Sequence, residues 1–422
     1  MKKFQPTWSR REFISAIAMA GAGSAVMLNP LTAWALQEID PKVAAIVAKT
    51  IGIDTHNHVD IPLLTAEVPG PKIDLAGEMK KSGLSAICMT FALDYQKLTE
   101  PGQAYERFLN GLTAYDQQLK NNGIKRSLNL ADLTAAHKKH QPTVIQSVEG
   151  CHFLEGHLDR VGVAYSRGLR HLGLLHDSDA SVPLGDVYTN APQWGGLTKF
   201  GAEVINECNR LGILVDLAHA NMETVTAAIK VATKPVMISH TGLDTRLGNN
   251  AFMAKMMRPR LISKEQAKIV ADAGGMIGVW THLADTPLEY AQNIRALVDV
   301  IGIDHVGIGT DTKLTPSYGS RDGFGPKPGQ QGPPPGGNMD GKPDGPPGGP
   351  PPDGKVSGGP PQGGGRPRVG ERTNEAWQDQ KVGFYYAVVD ALLKTGFTAD
   401  EIGKIGGGNF CRVFDAATKG HS

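Results

Sequence analysis

The chain has 422 residues, with 43 Lys and Arg against 42 Asp and Glu, and a formal net charge of +1 at pH 7. The first 35 residues contribute +3 of this charge, which leaves −2 for the remainder of the chain. Because there is no basic surplus, the composition excludes nucleic acid and an anionic membrane surface as evident partners. The length permits one large domain or two ordinary ones.

The amino-terminal segment has the order of an export signal. Ser9-Arg-Arg-Glu-Phe-Ile14 is a twin-arginine pattern, an apolar run follows to about Leu28, and Ala33-Trp-Ala35 fits a cleavage site. The apolar run is too short to span a membrane. We therefore predict that residues 1–35 are a signal peptide, that the mature chain has no transmembrane segment, and that the protein is exported to the periplasm by the twin-arginine route.

Short apolar runs alternate with helical patterns along most of the chain. Eight runs are predicted to be strands: Val47–Ile53, Ser85–Phe91, Thr143–Val148, Leu169–Leu175, Ile213–Leu217, Val236–Ser239, Met276–Trp280 and Val306–Gly309. Helical patterns cover Gln103–Gln118, Leu197–Arg210, Met222–Val231, Ser263–Ala273, Pro287–Ile301 and Trp377–Leu393. This alternation predicts an α/β fold, a (β/α)8 TIM-type barrel. A doubly wound sheet is the alternative, although no Gly-rich phosphate loop opens the first helix.

Residues 318–368 differ in composition from the rest of the chain. They run through GPPPGG, GPPGGPPPDG and GGPPQGGG and contain few apolar residues to bury. Such a stretch cannot offset its ordering entropy, so we predict a long disordered insert after the eighth strand. The chain that follows is too short for a core of its own, and residues 36–422 are therefore predicted to form one barrel domain.

Four cysteines, Cys88, Cys151, Cys208 and Cys411, lack the C-x-x-C spacing of a zinc ribbon. An oxidising compartment permits a disulfide, but the sequence does not pair them. Buried free thiols are the simpler interpretation.

Ionisable side chains follow most of the predicted strands. They are His56 and His58 after the first, Glu149 after the third, His176 with Asp177 after the fourth, His219 after the fifth, His240 after the sixth and Asp311 after the eighth. In a barrel the carboxyl ends of the strands meet at one rim, where active sites of this fold lie. Imidazoles with a carboxylate and no thiolate suit Zn²⁺, or less often Mn²⁺, Fe²⁺ or Co²⁺. So many candidate ligands predict a two-metal site with a bridging carboxylate, for which Glu149 is the natural choice, and a bridging hydroxide as nucleophile.

The ordered motifs resemble those of the membrane (renal-type) dipeptidases, zinc peptidases of the amidohydrolase superfamily. The matching motifs are D-T-H-N-H at 54–58, Q-S-V-E-G at 146–150, V-D-L-A-H at 215–219, P-V-M-I-S-H at 235–240, H-V-G-I-G-T-D at 305–311 and G-G-N-F-C-R-V-F at 407–414. The resemblance implies a dipeptidase with two Zn²⁺ ions per chain. It also implies a small peptide or amide substrate and is compatible with a homodimer.

The resemblance also implies a role for each site residue. His56 and His58 hold one ion, His219 and His240 hold the other, and Glu149 bridges them. His176 contacts the substrate and stabilises the oxyanion, while Asp311 binds the amine end and carries a proton. In Arg258-Pro-Arg260 the better match to the arginine that binds the substrate carboxylate is Arg260.

His58 is a departure from the family pattern, which has Asp at this position. Two alternative functions therefore stay open: a non-peptidase amidohydrolase acting on a cyclic amide, lactone or N-acyl compound, and a catalytically silent periplasmic binding protein. The first commonly uses a carbamylated Lys at the end of the fourth strand, where this chain has none. The second predicts the loss of a ligand or of Asp311, and none is lost.

Overall fold

Parallel strands wrapped by helices organise the chain in the computed structural model. The structure describes residues 39–318, 370–378 and 380–421, which apart from Ile39 belong to the unit Asp40–Ser422. The predicted signal peptide lies outside the described residues, and so does the predicted insert apart from Tyr318. No helix in the described part of the chain is long and apolar enough to cross a membrane.

The sheet contains ten strands: β1 Ile53–His58, β2 Ala86–Thr90, β3 Lys125–Arg126, β4 Thr143–Val148, β5 Leu169–Gly173, β6 Leu214–Asp216, β7 Met237–Thr241, β8 Met276–Val279, β9 Val306–Ile308 and β10 Thr312–Lys313. Their order is β10-β1-β2-β4-β5-β6-β7-β8-β9, with β3 beside β4 and all pairs parallel. Strands β9 and β10 belong to one run of chain, which pairs with β8 at its start and with β1 at its end. The curled parallel sheet confirms the predicted (β/α)8 TIM-type barrel.

Helices follow the strands along the chain: α1 Pro41–Lys49, α2 Leu75–Ser82, α3 Gln103–Asn122, α4 Leu130–Lys138, α5 Asp159–Ser166, α6 Lys199–Leu211, α7 Met222–Val231, α8 Ala251–Met257, α9 Lys264–Asp272, α10 Pro287–Ile301, α11 Phe384–Lys394, α12 Ala399–Gly403 and α13 Asn409–Thr418. Most begin at a side-chain cap, as Ser263 caps α9 by accepting from the Gln266 N–H at 3.1 Å. The helices thus start where the sequence supplies an oxygen for otherwise unpaired N–H groups.

The last helix, α13, closes the amino-terminal end of the barrel. Its apolar residues Phe410, Val413 and Phe414 pack with the first residues of several strands, including Ile53 and Met276. The Asn409 amide donates to the carbonyl oxygens of Ile303 and Val306, each at 2.8 Å. One end of the barrel is therefore apolar and sealed, which leaves the opposite end for polar side chains.

The prediction for the first strand is wrong. Val47 lies in α1, because Asp40 caps that helix and Pro41 suits its first turn. Strand β1 begins only at Ile53, so His56 and His58 lie within the strand and not after it. The D-T-H-N-H motif therefore lies inside β1, and the strand starts later along the chain than predicted.

The predicted helix Trp377–Leu393 is wrong in its first part. The helix begins at Phe384, and the Trp377 indole lies in a turn where it donates to the Ala284 carbonyl oxygen at 3.1 Å. The prediction for the cysteines is confirmed, because all four are free thiols, three of them buried.

Candidate metal centre

The DTHNH motif is fixed on β1 by its buried aspartate. The Asp54 carboxylate accepts from the Thr310 N–H at 2.8 Å, from the Thr310 hydroxyl at 2.6 Å and from the Asn57 amide at 2.8 Å. Successive side chains of a strand point to opposite sides, so His56 and His58 share one side. Asp54 thus binds β1 to the end of β9 and holds the two imidazoles at the open end of the barrel.

Glu149 lies at the centre of five imidazole rings. The Nε2 atoms of these rings lie 2.9 to 3.8 Å from a Glu149 carboxylate oxygen; they belong to His56, His58, His176, His219 and His240. All five histidines and Glu149 are buried. The structure therefore brings together every metal ligand that the sequence predicts, on strands β1 and β7 and in the loops after β4 and β6.

The spacing of these nitrogens suits metal ions. The Nε2 atoms of His56 and His58 are 3.2 Å apart, and those of His219 and His240 are 3.1 Å apart. A tetrahedral ion with bonds of about 2.0 Å keeps its ligand atoms about 3.3 Å apart. Both predicted pairs are therefore at the separation of two ligands on one ion.

The chemistry of the carboxylate also fits a cation. Glu149 Oε2 is buried without a hydrogen-bond partner, although an unpaired buried carboxylate oxygen is costly. It faces the His176 Nε2 atom at 3.4 Å. A divalent ion in this place would satisfy the orphaned oxygen and the converging ring nitrogens together.

The donor atoms fall into three sets, each with all its atoms within 4.8 Å of one another. They are His56 with Glu149 and His240, His56 with His58 and Asp311, and Glu149 with His176 and His219. Glu149 belongs to two of the sets, and its two carboxylate oxygens allow it to bridge two metal positions. Asp311 lies beside the first pair, with Oδ1 at 3.2 Å from the His58 Nε2 atom.

Two of the candidate site residues have left-handed backbone. His219 has φ +68° and Asp311 has φ +55°, a region that non-glycine residues seldom adopt. Such strain persists where surrounding structure enforces it, and it concentrates at functional sites. Here it lets the chain leave β6 and β9 while the two side chains point into the centre.

Carboxylates and a phenol hold the outer faces of the rings. Asp94 accepts from His176 Nδ1 at 2.6 Å, and Asp177 accepts from His219 Nδ1 at 3.0 Å. The Tyr188 hydroxyl lies 3.0 Å from the same His219 nitrogen. Partners of this kind fix the tautomer, so that Nε2 is left for a metal or a substrate.

Asp311 is held by two histidines. Its Oδ1 atom contacts His58, and its Oδ2 atom accepts from His282 Nε2 at 2.8 Å. Burial opposes ionisation, but His240, His282 and His58 hold the pKa of Asp311 well below its usual range. Asp311 is thus a charged carboxylate at the edge of the centre.

Arg260 reaches the centre through Asp177. Its Nη2 atom lies 2.5 Å from Asp177 Oδ2, and its side chain is 21% exposed, whereas Arg258 lies on the exposed surface. Burial alone would lower the pKa of Arg260, but Asp177 raises it. Of the two arginines in the motif, Arg260 is the one whose side chain contacts a residue of the site.

The protonation of the centre also reflects the central carboxylate. Burial lowers the pKa of His56, but the charge of Glu149 outweighs it and raises that pKa to about 9. The pKa of His219 rises to about 10 against burial, because Asp177 and Glu149 accept its hydrogen bonds. Burial likewise opposes ionisation of Glu149, yet His176 and His56 hold its pKa well below the usual range. Positive charge is therefore favoured next to Glu149, where ions would bind.

Asp94, Tyr188 and His282 are not among the site residues predicted from the sequence. Asp94 and His282 follow β2 and β8 by a few residues, so polar residues slightly beyond a strand end carry a signal for both. Tyr188 gave no such signal, because it lies in the long loop between β5 and α6 and contacts His219 only in the folded chain.

Comparison of the chain with models of known families shows which family it belongs to. The family model for membrane dipeptidases, peptidase family M19, matches residues 41–318. The chain belongs to this family. Membrane dipeptidases are metallopeptidases, so hydrolase chemistry at this metal centre is the activity that the family supports.

Curated relatives include fungal dipeptidases. Dipeptidase verJ of Clonostachys rogersoniana is 27% identical over 170 residues, which are 39% of this chain and 41% of that protein. An uncharacterized dipeptidase of Schizosaccharomyces pombe is 26% identical over 285 residues, 61% of this chain and 68% of that protein. The chain thus spans less than half of the first of these relatives and about two thirds of the second.

Solved structures share the fold of this membrane dipeptidase family member. An amidohydrolase from Pseudomonas aeruginosa has a TM-score of 0.64 at 21% identity, over 89% of this chain and 98% of that chain. A metallopeptidase from Rhodobacter sphaeroides, solved with a phosphinate mimic of the dipeptide L-Ala-D-Ala, has a TM-score of 0.58 at 17% identity, over 87% and 99%. At such identities the likeness shows the fold alone.

Proposed function

We propose that the protein is a zinc-dependent dipeptidase that hydrolyses dipeptides or similarly small amides. The observation that carries the proposal is the buried Glu149 carboxylate, with five imidazole nitrogens within 3.8 Å, in a chain of the membrane dipeptidase family. No other arrangement in the described residues gathers so many ligand atoms.

Two Zn²⁺ ions are the proposed cofactors. His56 and His58 would hold one ion, His219 and His240 the other, and Glu149 would bridge them. When bound, the ions supply a hydroxide nucleophile at neutral pH and polarise the scissile carbonyl group. The nitrogen-rich ligand set without thiolates supports zinc.

The chain's own residues move the proton and stabilise charge. Hydrolysis adds water across the amide, so that the carbonyl carbon gains an oxygen, the C–N bond breaks and the leaving nitrogen gains a proton. Asp311, held charged between His58 and His282, is placed to accept the proton of the water and pass it to that nitrogen. His176 donates from Nδ1 to Asp94, and although burial lowers the pKa of His176, the charges of Glu149 and Asp94 raise it above the usual value. The protonated ring also carries an N–H on Nε2, which faces the centre and can donate to the developing oxyanion.

Arg260 is proposed to bind the carboxyl end of the substrate. A guanidinium at the edge of the centre limits the length of peptide that can bind with its scissile bond at Glu149. The proposed contact between Arg260 and the substrate carboxylate therefore predicts a preference for short substrates.

Export to the periplasm belongs to the proposal as well. It is supported by the twin-arginine pattern of Ser9–Ile14 and the small-residue site at Ala33–Ala35. We propose that the mature protein acts there on small peptides or amides, as a monomer or a homodimer, without a nucleic-acid partner.

A second candidate is an amidohydrolase for neutral small amides or N-acyl compounds. It is favoured by the Arg260–Asp177 pair, because Asp177 offsets the charge that would select a free carboxylate. A silent binding protein is disfavoured, because each proposed ligand and Asp311 are present and converge.

The test is turnover of a dipeptide panel, including Ala-L-Ala and Ala-D-Ala, by zinc-loaded mature protein. His219→Ala removes one proposed ligand and should lower kcat/KM by roughly a hundredfold or more. His157→Ala is the matched control, because His157 is exposed and belongs to none of the three ligand sets. Activity that is equal in the two variants would refute the assignment of His219.

A further inference from the structure

Asp177 connects the arginine at the edge of the site to a proposed metal ligand. Its Oδ2 atom accepts from Arg260 Nη2 at 2.5 Å, and its Oδ1 atom accepts from His219 Nδ1 at 3.0 Å. The Asp177 side chain is 38% exposed and that of Arg260 is 21% exposed. The pair therefore lies at the mouth of the centre, within reach of a substrate.

The two charges of the pair offset each other. Both Asp177 oxygens accept hydrogen bonds, Oδ2 from the Arg260 guanidinium and Oδ1 from His219 Nδ1. Asp177 is therefore a carboxylate beside the guanidinium, and a substrate meets no net positive charge there. The contact with Asp177 uses Nη2, and a guanidinium has further N–H donors on Nη1 and Nε. Arg260 thus keeps its ability to donate hydrogen bonds, although much of its attraction for a free carboxylate is cancelled.

We propose that Asp177, acting through Arg260, determines how strongly the site prefers a substrate with a free carboxylate. With Asp177 charged, Arg260 binds the terminal carbonyl oxygen of a neutral amide nearly as well as a carboxylate. The substrate class therefore extends from dipeptides to dipeptide amides and related N-acyl amides. This inference rests on the proposed function, since it concerns the selectivity of that same hydrolytic site.

Asp177 also supports His219, which complicates a simple activity test. Loss of a partner to a metal ligand commonly weakens metal binding by about 10 to 100-fold. The measured quantity must therefore be one in which a change in metal affinity cancels. The ratio of kcat/KM for Ala-Ala to kcat/KM for Ala-Ala amide has this property, because both substrates need the same metal centre.

The chain offers a matched control for the metal effect. The Tyr188 hydroxyl contacts the same His219 nitrogen at 3.0 Å, so Tyr188→Phe disturbs this ligand but leaves the Arg260–Asp177 pair in place. Asp177→Asn disturbs the ligand and also removes the offsetting charge. Comparison of the two variants separates selectivity from metal binding.

The experiment measures this ratio on zinc-saturated mature protein at low salt. Asp177→Asn should raise the ratio of acid to amide about tenfold, and Tyr188→Phe should leave it within about twofold. Raising the ionic strength to about 0.5 M should reduce the gain, because the pair is partly exposed. Asp177→Ser, which removes the charge with a smaller side chain, should change the ratio in the same direction.

A second set of variants tests whether the change in the ratio depends on Arg260. Arg260→Gln should change the ratio little in the wild-type background but should abolish the gain in the Asp177→Asn background. A ratio in Asp177→Asn equal to that of Tyr188→Phe would overturn the inference, and so would a gain that survives Arg260→Gln. If the wild-type protein hydrolyses neither substrate, the proposed function fails instead, which is a distinguishable result.

Discussion

The negative charge of Glu149 attracts the imidazoles around it, so the stability of the metal-free centre depends on pH. Five imidazoles lie within 3.8 Å of its oxygens. Protons and metal ions compete for the same ring nitrogens, because a ligating imidazole must be neutral. The stability of the protein without metal should therefore depend more steeply on pH than that of the metal-loaded protein.

We predict that the protein freed of metal by a chelator loses stability as the pH rises from about 7 to 10. The folded-state pKa values of His56 and His219 are raised to about 9 and about 10, above the ordinary value of about 6.5. Their stabilising effect is thus complete below about pH 6.5 and is lost as the pH passes through 9 to 10. Glu149 has a lowered pKa, so its effect is present above about pH 4.5 and is lost in acid.

Thermal unfolding at a series of pH values checks this prediction. The Tm of the chelated protein should fall with rising pH, while that of the zinc-loaded protein should fall less. Glu149→Gln removes the charge that raises both pKa values, so it should flatten the decline. A Tm of the chelated wild-type protein that rises between pH 7 and 10 would contradict the prediction.

The role of single residues could be predicted where chemistry and strand position coincide. His56, His58, His219, His240 and Glu149 were predicted because imidazoles and a carboxylate ended several apolar runs of one barrel. Their outer partners could not be paired in this way. Asp94 and His176 are 82 positions apart in the sequence, and Asp177 and Arg260 are 83 apart, so these contacts are visible only in the folded chain.

The strands beneath the candidate metal centre approach each other so closely that there is no room between them for a larger side chain. The Thr55 hydroxyl on β1 donates to the Ser239 carbonyl oxygen on β7 at 2.6 Å, across the inside of the barrel. A Cβ atom at Gly309 would collide with that same oxygen and crowd Thr55. The glycine after β9 is therefore required by packing directly below His56 and His240.

Gly309→Ala should destabilise the protein by about 3 kcal/mol or more, because backbone and not a flexible side chain stands in the way. Metal occupancy should fall with it, since β1 and β7 carry three of the proposed ligands. Gly162→Ala is the matched control: it lies within α5, a Cβ there meets nothing within 4 Å, and alanine favours helix by up to about 1 kcal/mol. Urea unfolding of both variants checks this, and equal stabilities would refute the packing argument.

The elements themselves were predicted well in the interior and poorly at their ends. The alternation of apolar runs with helical patterns was sufficient for the barrel, because every strand except β3 and β10 is short and buried on both faces. The apolar residues around Val47 suit a strand, but Asp40 caps a helix here and Pro41 fits its first turn, so the segment is helical. Trp377 was included in a helix because its hydrogen bond to Ala284, 93 positions away, is a tertiary contact.

The barrel formed by the described residues is polarised along its axis. Helix α13 and the apolar starts of the strands seal one end, and the buried residues of the candidate metal centre occupy the other. This division supports the charged centre, because the apolar layer excludes water below it while the strand ends remain accessible. Membership of the membrane dipeptidase family agrees with this arrangement. We propose that dipeptidase activity depends on two metal ions bound at the candidate centre.

The most direct test of that central claim is the number of zinc ions per chain at which dipeptide turnover saturates. Chelated mature protein is titrated with Zn²⁺ while bound metal and hydrolysis of Ala-D-Ala are measured on the same samples. We predict that turnover is absent without metal and reaches its plateau at two ions per chain. Full turnover by protein that holds less than one ion per chain would contradict the account.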